Sequence, residues 1–62
     1  MDDLKEFRKS QNMTRKEMAE KMGVSLSFYE KVEDGDRSLS GNFIRRLKEA
    51  FPLVDLNIFF RT

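Results

Sequence analysis

The sequence predicts an all-α fold, a compact bundle of four to five short helices around a central helix-turn-helix, with residues 1–62 forming a single domain. Three observations carry this expectation. Apolar residues recur at helical spacing along the chain. The stretches that carry them are bounded by capping residues, glycine or proline. The two central ones are joined only by Gly23-Val24-Ser25, too little chain to lay two helices side by side, so they must cross steeply.

The first helix spans residues 3–11, with Leu4 and Phe7 inside and Lys5, Glu6 and Lys9 outside. Ser10-Gln11-Asn12 is a polar break. Met13 then acts as a hydrophobic staple, with Met18 its expected partner, and Thr14 with Glu17 forms a capping box, so the second helix starts at Arg15. Met18, Ala19 and Met22 make its apolar face, opposite Arg15, Lys16, Glu20 and Lys21. Gly23 closes it in the left-handed conformation that glycine enters at little cost. Val24 is a lone apolar anchor and Ser25 a new N-cap. The next helix, about 26–34, turns Tyr29 and Val32 inward and stops at Asp34-Gly35. A loop follows, anchored by Leu39. Ser40 caps a helix running to about Phe51, with Phe43, Ile44, Leu47, Ala50 and Phe51 on one stripe and Arg45, Arg46, Lys48 and Glu49 toward water. Gly41 and Asn42 are poor helix formers, so fraying is expected there. Pro52 ends the helix, and Asp55 caps a last turn from Leu56 to Phe60.

Composition narrows the function. Sixty-two residues without cysteine or histidine leave no disulfide, no zinc site and no histidine acid–base chemistry, and no Ser or carboxylate stands beside an evident base, so an enzyme is not expected. No cofactor and no small-molecule ligand are evident. No apolar run is long enough for a membrane span, and Met1-Asp2-Asp3 is unlike a signal peptide, which makes the cytoplasm the expected compartment. Twelve Lys and Arg against eleven Asp and Glu give a net charge of +1, without an overall basic footprint. The distribution still leaves Arg15, Lys16, Lys21 and Lys31 for a local positive surface.

Residues 4–40 carry a resemblance: Arg8 ahead of Met13-Thr14, the Ala19–Gly23 pair with Val24-Ser25 behind it, and the ending Val32-Glu33-Asp34-Gly35. The chain resembles the phage repressor and Cro family of DNA-binding domains, also called the xenobiotic-response-element family, and with it the lambda repressor-like fold. The resemblance implies a structural pair between Arg8 and Glu33, tying the first helix to the third by a forked guanidinium–carboxylate contact. Read without it, the two are unrelated surface charges.

The resemblance also implies a partner, double-stranded DNA, bound as a homodimer by a small repressor-like or Cro-like regulator with helix 26–34 in the major groove. The base-reading positions map onto Leu26, Ser27 and Lys31, with Arg15 beside them. Ser27 can exchange hydrogen bonds with several bases, Leu26 offers apolar contact to a thymine methyl, and Lys31 can reach guanine O6 and N7. Arg15 reads a base or, more in keeping with most contacts, a phosphate. Phe28 lies off the buried stripe, as a groove-wall contact or as peripheral core over Met22 and Val24. Phosphate candidates are the caps at Thr14 and Ser25 and the residues Arg37, Ser38, Ser40 and Asn42. Asp34 and Asp36 flank Gly35 where relatives often carry Asn and Lys, and acids there repel phosphate.

The apolar C-terminal stretch from Leu53 to Phe60 has two readings, closure of the core or a patch for a dimer contact. Alternation of Ile58 and Phe60 also permits a short strand. The competing function is a protein-binding module, such as an antitoxin that uses this segment.

Overall fold

The computed structural model describes residues 2–59. Four α-helices and a terminal 3-10 turn run in the order α1 (Asp2–Ser10), α2 (Arg15–Met22), α3 (Leu26–Glu33), α4 (Gly41–Ala50) and a turn at Leu56–Phe59, with no strand among the described residues. Each boundary has a chemical cause. Thr14 Oγ1 accepts from the Glu17 N–H at 3.1 Å while the Thr14 N–H donates to Glu17 Oε1 at 2.9 Å, the reciprocal capping box that opens α2. Ser25 and Ser40 accept from the N–H groups of Phe28 and Phe43, each at 3.1 Å, and open α3 and α4 in the same way.

The first three helices end on one device. Asn12, Gly23 and Gly35 have φ of 56°, 72° and 86°, and each closes the preceding helix with paired backbone bonds of the Schellman type. After α1, Asn12 and Met13 donate to Lys9 and Arg8; after α2, Gly23 and Val24 donate to Glu20 and Ala19; after α3, Gly35 and Asp36 donate to Val32 and Lys31. The break at Ser10–Asn12 is therefore a built helix end, and α1 stops at Ser10, one residue short of the expected boundary.

The buried core is Leu4, Met18, Ala19, Met22, Tyr29, Val32, Phe43, Leu47, Val54 and Phe59, drawing on every element. Aromatic rings knit it together. Tyr29 stacks on Phe43 at 6.1 Å between centroids, and Phe7 meets Phe51 and Phe59 edge-on at 5.2 and 6.2 Å. Met13 packs against this cluster from outside.

Two expectations need correction, the exposure of Arg46 and the short strand near Ile58. α4 is helical from Gly41, because the Ser40 cap and a bond from Arg45 Nη2 to Asn42 Oδ1 hold its first turn. Arg46 is half-buried instead of facing water, and its Nη1 lies 3.3 Å from where a Cβ on Gly23 would sit. The C-terminal segment closes the core: Val54 and Phe59 are buried, and Leu56 and Ile58 pack against the cluster. Residues 56–59 form a 3-10 turn, with Asp55 Oδ1 accepting from the Asn57 N–H, so they make no strand. Phe60, the last residue of the expected turn, lies outside the described residues. Among the described residues of this segment, the apolar side chain left in water is Leu53, 99 % exposed.

Candidate nucleic-acid interface

The helix-turn-helix is held by a charge network at the junction of α1, α2 and α3. Arg8 forks onto Glu33, Nε to Oε2 at 3.0 Å and Nη2 to Oε1 at 3.1 Å, while its Nη1 donates to the Met13 carbonyl at 2.9 Å. One side chain thus ties α1, the entry to α2 and the end of α3. The Glu33 side chain is fully buried. Burial alone would raise its pKa, but the hydrogen bond from Arg8, the neighbouring Tyr29 hydroxyl and the charges of Arg8 and Arg15 outweigh that and hold it below the usual carboxylate value. The Tyr29 hydroxyl is buried without a well-aligned hydrogen-bond partner among the described residues, yet it lies near enough to Glu33 to interact. Burial first, and then this carboxylate, push its pKa up.

Arg15 belongs to the same network, which corrects its assignment to a free positive surface. Its Nη2 donates to Asp34 Oδ1 at 2.8 Å and its Nε to Glu33 Oε1 at 3.1 Å, and its Nη1 stands 3.7 Å from Glu30 Oε2. The hydrogen bond that Arg15 donates to Asp34 leads the causes that raise the Arg15 pKa. Asp34 is correspondingly not a bare acid facing phosphate. This cluster had one signal in the sequence: Arg15 opens α2, and Glu33, the expected partner of Arg8, closes α3 next to Asp34.

Helical geometry divides α3 into two faces. Tyr29, Val32 and Glu33 are buried and Phe28 is half-buried, whereas Leu26, Ser27 and Lys31 are exposed and form an outward sector with Glu30 and Asp34. Leu26 keeps 38 % of its surface open on this face, beside the exposed Ser27 and Lys31. Phe28 resolves as peripheral core, although its ring partner is Phe43, edge-on at 5.7 Å. The Arg37 guanidinium covers it from outside, 5.5 Å from the ring centre.

Beside α3, Phe28, Asp36, Arg37, Ser38, Ser40 and Asn42 line one open hollow. The residues singled out in this loop therefore converge. The N–H groups of Gly41 and Asn42, in the first turn of α4, have no partner inside the helix, and the helix dipole adds positive potential there. Asp36 is the opposing charge on the rim. At the other caps, Glu17 occupies the Thr14 N–H, so the unpartnered donors of α2 are the N–H groups of Arg15 and Lys16; in α3 they belong to Leu26 and Ser27. Lys21 is set apart from this surface, its ammonium 5.3 Å above the Phe51 ring.

No helix among the described residues is long and apolar enough to cross a membrane. No curated protein and no solved structure matches the chain. A family model described as helix-turn-helix matches residues 4–59, from the first core residue of α1 to the last residue of the terminal turn. That span takes in the Arg8–Glu33 tie, both central caps and the exposed face of α3, and it establishes that the chain belongs to the helix-turn-helix family of the Cro and phage-repressor type.

Proposed function

We propose that the protein is a small sequence-specific regulator of transcription, repressor-like or Cro-like, that binds double-stranded DNA as a homodimer in the cytoplasm and carries no catalytic activity. The observation that supports this most is the outward face of α3, with Leu26, Ser27 and Lys31 exposed next to the hollow of Arg37, Ser38 and Asn42. In this docking α3 lies in the major groove and α2 crosses the backbone. Lys31 reads a guanine edge, Ser27 bonds a base, and Leu26 packs on a thymine methyl. Arg37, Ser38 and the open N–H groups at the start of α4 hold a phosphate, as do the donors near Thr14 and Ser25.

Two such domains related by a two-fold axis would read half-sites about 34 Å apart, one turn of the duplex. Use of the C-terminal segment to mask a toxin has less support, since Val54 and Phe59 are committed to the core.

Selection of bound duplexes from a random pool at two salt concentrations tests the reading. The expected result is a pseudo-palindromic site whose affinity falls steeply with salt, the logarithmic slope being about 0.9 per phosphate neutralised. Recovery of no common sequence would refute it.

A further inference from the structure

Arg15 and Asp34 are tied in a way that the proposed DNA docking does not use. The Arg15 guanidinium opens α2, the helix that crosses the DNA backbone in this docking. Asp34 and Glu30 lie in the outward sector of α3, and both point acids at the same guanidinium, at 2.8 and 3.7 Å. Planar guanidinium donors accept carboxylate and phosphate oxygens in the same geometry. Glu33 is buried and already satisfied by Arg8, whereas the Asp34 side chain is 49 % and the Glu30 side chain 44 % exposed, so these two are the replaceable partners.

We infer that Asp34, assisted by Glu30, occupies on Arg15 the place of a backbone phosphate and so sets the DNA affinity of this domain by an internal, competing contact. The inference rests on the DNA-binding reading and adds a regulatory element to the same surface. A phosphate oxygen reaches Arg15 only by displacing the Asp34 oxygen, so in most wild-type complexes this contact stays unmade. The cost of that displacement keeps the wild-type affinity low. The domain thereby discriminates through Lys31 and Ser27 more than it gains from the backbone.

Asp34→Asn tests this directly, because it preserves size at an exposed helix end and removes the charge. The affinity of wild type, Asp34→Asn, Arg15→Gln and the double variant is measured for one selected duplex over 50–200 mM salt, with thermal melts confirming that each is folded. Asp34→Asn is expected to bind about tenfold more tightly at low salt, with a salt slope steeper by about 0.9, one additional phosphate contact. Both effects are expected to vanish when Arg15 is Gln. Glu30→Gln is expected to act in the same direction and more weakly, and it stands in if Asp34→Asn does not fold.

A gain of equal size in both Arg15 backgrounds, with no change in slope, would overturn the inference, since Asp34 would then act only as a repulsive charge. No gain would overturn it as well. In both cases wild-type binding to the selected duplex leaves the DNA-binding reading standing, whereas failure of all four proteins to bind any duplex would overturn both.

Discussion

Replacing Glu33 by Gln isolates the charge at the centre of the fold. The side chain keeps its shape, but the carboxylate that receives Arg8 through two bonds and Arg15 through a third becomes a neutral amide. The amide retains one carbonyl acceptor and presents N–H groups to guanidinium donors, so at least one of the three bonds is lost. A hydrogen bond to a charged group contributes about 1.5–3 kcal/mol, and Arg8, only 13 % exposed, cannot fully recover it from water. The expected loss is about 2 kcal/mol, which lowers Tm by roughly 8–16 °C in a domain of this size.

Acid should imitate the substitution. Because the Glu33 pKa is lowered on folding from an ordinary value of 4.5, its contribution is fully present at neutral pH. It is lost as pH falls from about 4.5 through the folded-state pKa. Thermal melts of wild type and Glu33→Gln between pH 7 and pH 2.5 read both effects. The two curves should be well separated at pH 7 and converge in acid. Equal Tm values at pH 7, or a separation that persists unchanged to pH 2.5, would refute this account of the junction.

Further outcomes follow from single contacts. Lys31→Ala should cost about 1–3 kcal/mol at the selected site and flatten preference at one base pair; an equal loss on every duplex in the same binding assay would make Lys31 a phosphate contact. Arg37→Ala should weaken binding by a similar factor on all duplexes and lower the salt slope by about one. Gly23→Ala should destabilise the fold by about 1–2 kcal/mol in urea titrations, since the position has φ of 72° and Arg46 passes close by.

Most of this fold was legible because each element is marked by its own chemistry. Ser/Thr caps at Thr14, Ser25 and Ser40 and glycines at Gly23 and Gly35 are local signals, and they gave the boundaries within a residue or so. The Arg8–Glu33 tie spans 25 positions and was reached through the family resemblance, not through any local pattern. What escaped depended on distances across the bundle. Arg15 looked free because its carboxylates belong to another helix, and Asp34 looked like a repulsive charge for the same reason. Phe28 had two readings, groove wall or peripheral core; it packs on the core, and its ring contact with Phe43 depends on the return of α4 and has no local signal. The apolar C-terminal stretch allowed either core closure or a dimer patch. A core assembled from such short elements uses Val54 and Phe59 as its floor and leaves Leu53 in water.

Chemical-shift mapping tests the central claim most directly: isotope-labelled protein is titrated with the duplex recovered by selection, at low salt. The account predicts that the perturbed amides cluster at the start of α2, on Ser25–Lys31 and on Arg37–Asn42, while Phe7 and Phe51–Val54, which line a separate groove with Lys21, stay unmoved. Shifts centred on that groove, or none at all along α3, would contradict it.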